Sequence, residues 1–275
     1  MNRGPRAGGA ILAVTAVLAG GGADAAAAQT APERTGDVRL FAEEWPFPVG
    51  ERAEYDVTFG PVRVGRASLA VETAELVRGE AAYRLAFELE GGPVFYKIDD
   101  RTVSWLAPDP YRALRFEQVL REGGYRRHRR YELDQERGTF DRQDWDEEAA
   151  AYRTHDEIRG VEMPRLALDE ISFLYLVRTL PLEVGRTYRF DSYFEEEGNP
   201  VIVEVLRRES VRLRSGRYET VVVRPIIRAG GLFGEEGQAE VFVADDETRA
   251  IVQLKVRMKV GAVNMYLSEY ESGIR

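Results

Sequence analysis

The sequence predicts an all-β protein, a curved antiparallel sheet (a half-barrel or two facing sheets) of roughly a dozen strands with one short helix near the middle of the chain. Three observations predict it. Apolar side chains recur at every second position in run after run, and glycine and Asx residues separate the runs at turn spacing. A single segment carries the start and stop signals of a helix.

The elements follow in chain order. Arg3 and Arg6 precede an apolar run from Ala10 to Ala19, after which small residues end at Ala26-Ala27-Ala28-Gln29. This is the basic, hydrophobic and cleavable pattern of a secretory leader, with cleavage predicted near Ala28. The run falls short of the ~20 apolar residues a membrane span needs. The mature chain is therefore expected in the periplasm or otherwise secreted, with no transmembrane segment. Residues 29–45 mix Pro, Thr, Arg and Glu without periodicity and read as a flexible tether.

From Ala53 the period becomes two. Ala53, Tyr55, Val57 and Phe59 share one parity, and Arg52, Glu54, Asp56 and Thr58 the other. Ala67-Leu69-Val71, Tyr83-Leu85-Phe87-Leu89, Ala239-Val241-Val243 and Val252-Leu254-Val256-Met258-Val260 repeat the alternation, with turns at Gly79-Glu80, Gly91-Gly92, Gly123-Gly124, Gly198-Asn199 and Ser215-Gly216. Asp169 is a capping residue before Ile171, Phe173, Leu176 and Val177, and Pro181 follows, which predicts a helix over 169–179. Residues 46–275 thus read as one all-β domain whose parts 46–168 and 180–275 share an outline. Phe47-Pro48-Val49-Gly50-Glu51 leads into one strand as Pro181-Leu182-Glu183-Val184-Gly185-Arg186 leads into another. Asp99-Asp100 and Asp245-Asp246 each precede an Arg-Ala-apolar triplet.

Composition removes several classes of function. The 275 residues include no cysteine, which excludes disulfide scaffolds, thiolate metal sites and cysteine nucleophiles. Forty-seven Asp and Glu against 38 Lys and Arg leave a net charge of −9, which argues against nucleic acid as the main partner. No nucleophile elbow, zinc-protease motif or phosphate loop is present. His128 lies among Arg126, Arg127, Arg129 and Arg130, and His155 precedes Asp156-Glu157. Neither sits in a usual metal-ligand set, so no metal or cofactor is expected. Asp99-Asp100 and Asp245-Asp246 read as turn residues, since adjacent carboxylates on a strand end point apart. The Arg-rich strand at 125–131 and the acidic stretch at 141–148 read as cross-strand charge pairs on a solvated face. The glycine-rich loop at 229–237 carries two large apolar residues, Leu232 and Phe233, which either plug the end of the sheet or sit at the mouth of a cavity.

Pro48-Val49-Gly50-Glu51 with Tyr55, Gly65, Tyr96-Lys97-Ile98-Asp99-Asp100, Asp169 before Phe173-Leu174-Tyr175-Leu176-Val177-Arg178, Leu180-Pro181-Leu182, Gly185, Gly216-Arg217-Tyr218-Glu219-Thr220 and Asp245-Asp246 form an ordered set. Over about residues 46 to 272 this set resembles the bacterial envelope family catalogued as domain of unknown function 3108. The resemblance implies a secreted, all-β protein and carries over no catalytic residues. The stretch from Thr102 to Pro110, with Trp105 and Pro108, also looks like the strand and turn of periplasmic lipoprotein carriers. That likeness implies a curved, incomplete β-barrel with helical cover and an apolar interior.

The leading expectation is a non-enzymatic envelope protein whose concave face holds an apolar ligand, such as a lipid or a lipoprotein acyl chain. Tyr83, Phe87, Phe95, Trp105, Tyr175, Leu232 and Phe233 are the candidate lining or gating residues. The alternative is a structural or assembly adaptor that binds another envelope protein through a sheet edge. A glycan hydrolase, which needs opposed carboxylates across a cleft, ranks third.

Overall fold

The computed structural model describes residues 45–92, 96–227, 238–257 and 261–273. The leader, most of the tether, and Phe95, Leu232, Phe233, Met258 and Val260 lie outside the described residues. The first six strands are β1 (Glu51–Phe59), β2 (Val62–Val77), β3 (Glu80–Gly91), β4 (Ile98–Pro108), β5 (Tyr111–Glu122) and β6 (Tyr125–Asp134). Three short strands extend them, namely β7 (Thr139–Asp146), β8 (Ala151–Thr154) and β9 (Val161–Glu162). Helix α1 (Glu170–Thr179) comes next. The chain ends with β10 (Thr187–Phe190), β11 (Val201–Leu213), β12 (Gly216–Ile226), β13 (Gln238–Ala244), β14 (Ile251–Arg257) and β15 (Ala262–Ser272).

These strands form one antiparallel sheet of two consecutive six-strand meanders, β1–β6 and β10–β15. The last strand of the second meander pairs with the first strand of the first, Tyr55 opposite Leu267 and Val57 opposite Met265. Its two ends are β8 and β10, so the sheet curves without closing. The fold is the curved sheet with one helix that the alternation predicts. Fifteen strands are described where the sequence predicts about a dozen.

Alternation decides which side chains enter the interior. Ala53, Tyr55 and Val57 of β1 and Leu85, Phe87 and Leu89 of β3 are buried in a core that also receives one face of α1. At Val252 the predicted parity fails. The register between β13 and β14 shifts between Phe242 and Val243, so Ile251 turns into the main core while Val252 joins an outer cluster with Phe242 and Ala244. One extra residue on one strand moves its neighbours to the opposite face.

Bulges also bend the two long hairpins, with register shifts between Val71 and Thr73 in β2 and between Val205 and Arg207 in β11. The β2–β3 turn places Arg78 at φ 52° and Gly79 at φ 85°, the left-handed pair of a tight hairpin. Arg78 then donates to the carbonyls of Leu114 (2.9 Å) and Leu133 (2.8 Å), holding the hairpin tip against β5 and β6. In the second meander the Ser215 hydroxyl donates to the carbonyl of Leu267 (2.6 Å). A small outer core accompanies each hairpin, one around Val77, Val103 and Trp105 and the other around Val211, Val222 and Phe242.

Candidate ligand-binding site

The helix is fixed inside the sheet at both ends. At its start Asp169, fully buried, accepts from the backbone N–H groups of Ile171 and Ser172, both at 2.9 Å, while its second oxygen accepts from the Ser104 hydroxyl of β4 at 2.6 Å. Ser172 completes a capping box by accepting from the Asp169 N–H at 2.9 Å. Burial holds the Asp169 carboxyl up at about 6 against those donors. At its end Arg178 forms a buried ion pair with Glu51 of β1 and donates to the carbonyls of Arg249 (2.8 Å) and Thr248 (3.0 Å) beyond β13. The Tyr270 hydroxyl donates to the same Glu51 at 2.8 Å. Arg178 therefore ties the helix to both meanders.

Beside Arg178 the concave face is filled by the chain's own aromatics. Trp45 stacks on Tyr83, ring centroids 4.8 Å apart, and on Tyr175 at 5.9 Å, while Phe47 meets Tyr175 edge-on at 5.3 Å. Two of the predicted lining residues, Tyr83 and Tyr175, are brought together here, around Trp45 from the end of the expected tether. Their exposed apolar surface is already spent on Trp45 and Phe47.

Near the start of the helix the packing is looser. Ile171 and Leu174 of α1 face Leu69 and Phe87 of the first meander, and Val241 and Leu254 of the second, around an apolar cavity of about 30 Å³. Among the described residues that line it, Glu170 is the one carboxyl, and the other predicted residue present is Phe87. Trp105 is a correction. Ser104 and Leu106 turn inward, so alternation turns Trp105 to the outer face, where its indole N–H donates to Glu75 and the guanidinium groups of Arg115 and Arg84 lie 5.4 and 5.6 Å from its ring.

From this cavity one row of inward positions crosses the first meander. Leu69, Phe87, Thr102, Gln118 and Arg129 oppose one another in turn across β2 to β6, and Asp144 of β7 follows. The row grades from apolar to charged. Thr102 and Gln118 are each 1% exposed, and the Gln118 side-chain N–H₂ is buried with no hydrogen-bond partner. Arg129 donates from Nε to Asp144 at 2.9 Å, leaving Nη1 buried and unpartnered. On the same face of β6, Arg127 keeps Nε and Nη1 unpartnered as well.

Two carboxyls from other elements meet this polar end. Glu170 Oε1 accepts from the Tyr193 hydroxyl at 2.7 Å, and its Oε2 is buried without a partner. Burial, only partly offset by that hydroxyl, raises the Glu170 carboxyl to about 7. Glu195, in the β10–β11 connection, is raised to about 8 by burial and then by the charges of Glu170 and Glu197. Gly198 lets the Tyr193 ring lie against the backbone, since a Cβ there would overlap it. Farther along the face, Asp100 accepts from the Arg121 N–H at 2.8 Å and is raised chiefly by burial.

The family model described as "Protein of unknown function (DUF3108)" matches residues 54–268. The chain belongs to that family. Two solved structures are similar to this DUF3108 chain. One is a beta-barrel-like protein of the domain of unknown function DUF1849 from Brucella abortus, 11% identical with a TM-score of 0.49. The other is a protein from Bacteroides fragilis described as exported and YmcC-like in fold, 11% identical with a TM-score of 0.30. Each comparison covers 82% of this chain and 98% of that one. No curated protein matches.

The pair Asp99-Asp100 opens β4 instead of forming a turn: Asp99 is exposed and paired with Arg121 at 3.1 Å, while Asp100 is buried, so the strand points them apart. Asp245-Asp246 does occupy a turn, where Asp246 accepts from the Thr248 N–H at 2.9 Å. The Arg-rich strand is split by its pleat. Arg130 pairs on the outer face with Glu117 at 2.7 Å, as a solvated ladder should, but Arg127 and Arg129 share the parity of buried Tyr131 and Leu133. His128 stacks on Trp145 (5.1 Å) and meets the Tyr152 hydroxyl at 2.5 Å. Among the described residues no group of three or more His, Asp or Glu side chains is arranged to hold a metal ion, and no helix is long and apolar enough to cross a membrane.

Proposed function

We propose that this DUF3108 protein is an exported, non-enzymatic binding protein that takes the apolar chain of an amphipathic molecule between α1 and the second meander. The observation that carries the reading is the apolar cavity beside Ile171 and Leu174, with a helix docked on β3, β4 and β5 as one wall and Val241, Leu254 and Met265 as the other. Such a lining favours aliphatic groups over water. At about 30 Å³ the cavity accepts little more than a methyl group, so a chain enters only as the two walls part. An open sheet permits that movement where a closed barrel would not. The N-terminal leader pattern supports export. The sheet ends favour this reading over an edge-binding adaptor, because β8 and β10 are only four residues each and carry Arg153 and Arg189.

The test is titration of the purified protein with the neutral apolar fluorophore N-phenyl-1-naphthylamine, alongside mass spectrometry of molecules extracted from it. Saturable fluorescence that a long-chain alcohol displaces, and that a Leu174→Phe variant of unchanged thermal midpoint loses, is the expected result. A wild-type protein that takes up no probe and yields no extracted amphiphile overturns the reading.

A further inference from the structure

The cavity accounts for the chain of a ligand but leaves the polar end of the Leu69-to-Arg129 row unexplained. Buried polar groups in folded proteins find partners. Here the Gln118 amide, two guanidinium nitrogens of Arg127 and one of Arg129 have none, and all three side chains project from the concave face of adjacent strands. We propose that these three side chains bind the carboxylate headgroup of the amphiphile whose chain enters the neighbouring cavity. The inference rests on the chain-binding reading above.

Three features of the structure support it. The row is continuous: Phe87 lines the cavity, and Gln118 stands two strands farther on, about 10 Å at the spacing of paired strands. A molecule with its first carbons beside Phe87 therefore brings a terminal group to Gln118 and Arg129. Glu170 joins the two regions, since it lines the cavity and also lies within electrostatic reach of Arg127. The donors also outnumber the charges that would repel an anion. Asp144 is engaged by Arg129, and burial raises the Glu170 carboxyl to about 7 and the Glu195 carboxyl to about 8 against the opposing charge of Arg127, which weakens their repulsion of an anion. A single carboxylate suits such a set, accepting charge-assisted hydrogen bonds from guanidinium and amide N–H groups.

The experiment compares 12-(1-pyrenyl)dodecanoic acid with its methyl ester on the full protein. The two share chain and fluorophore and differ in the headgroup charge. The acid is expected to bind about tenfold more tightly than the ester, the value of one or two hydrogen bonds to a charged group. Arg127→Leu and Gln118→Leu should each bring the acid toward the ester's affinity and leave the ester unchanged. Arg126→Leu, on the opposite face of the same strand, should alter neither. Equal binding of acid and ester by the wild-type protein overturns the headgroup site and leaves the chain site standing. Binding of neither probe removes both. Acetate that displaces the pyrenyl acid as well as dodecanoate does would assign the donors to a free small anion and overturn the amphiphile. Should Arg127→Leu fail to fold, Arg127→Lys keeps the charge, and the comparison on the wild-type protein decides alone.

Discussion

The two meanders solve the same packing problem with different residues. In the second, the inner row across β11 to β15 reads Val205, Val223, Val241, Leu254 and Met265, all in the main core. In the first, the corresponding strands β2 to β6 contribute Leu69, Phe87, Thr102, Gln118 and Arg129. Aliphatic residues suffice to fill the inner face of such a sheet, as the second meander demonstrates. Polar groups on the same face cost stability unless they are paired, and several in the first meander are not. A departure from the packing rule in one of two similarly built meanders is the observation on which the proposed headgroup site rests.

The largest effect is expected where the halves are joined. Arg178→Ala leaves Glu51 buried and strips the β13–β14 turn of its donor, and should cost about 3–5 kcal/mol in urea unfolding. Arg208→Ala, which removes an exposed partner of Asp245, should stay within about 1 kcal/mol. A loss below about 1 kcal/mol for Arg178→Ala would mean that sheet pairing alone joins the meanders.

Exchanging the two rows sharpens the contrast. Leu254→Gln imports the polar solution into the apolar wall and should destabilise by about 2–4 kcal/mol. Gln118→Leu does the reverse and should be neutral or stabilising by about 1 kcal/mol, because an unpartnered buried amide is removed. Thermal and urea unfolding report both. A strongly destabilising Gln118→Leu would identify the amide as a structural element and weaken the case for a site.

The acids of the first half give a smaller, pH-dependent effect. Glu170 at about 7 and Glu195 at about 8 stand above the ordinary carboxylate value, and Asp169 at about 6 acts in the same sense at lower pH. A carboxyl raised by folding stabilises the native state fully below its unfolded value, and that contribution is lost as pH rises through the folded value. Stability should therefore fall between about pH 5 and pH 8, by about 1–3 kcal/mol. Glu170→Gln should flatten the upper part of the decline. A stability that rises over this range would contradict protonated carboxyls at the polar end.

Strand alternation made much of this fold legible. Ala53, Tyr55 and Val57, or Leu85, Phe87 and Leu89, announce their buried face, and Asp169 with Pro181 frames the one helix. Alternation is a local signal, so it failed where a bulge intervened, at Ile251 and Val252. The polar row left a trace that charge composition concealed. Arg127 and Arg129 share a parity with Tyr131 and Leu133, and Gln118 shares one with Phe116 and Leu120. Read as parity instead of as a run of like charges, these residues point inward. Glu195 and Tyr193 left no such trace, because a connection brings them to Glu170 only through the tertiary fold.

The smallest expected effect is a null that tests the assignment of faces. Trp105 and Phe87 lie on adjacent paired strands, yet one belongs to an outer cluster and the other to the cavity wall. Trp105→Leu removes the indole that lies between Arg84, Arg115 and Glu75, and lowers stability through lost packing. Because the sheet separates it from the cavity, it should change the affinity for an apolar probe by less than about twofold. Phe87→Leu, a smaller change in shape, alters the cavity wall itself and should shift probe affinity more. If Trp105→Leu weakened binding as much as Phe87→Leu did, the ligand would sit on the convex face, and the polar row of the first meander would need another purpose.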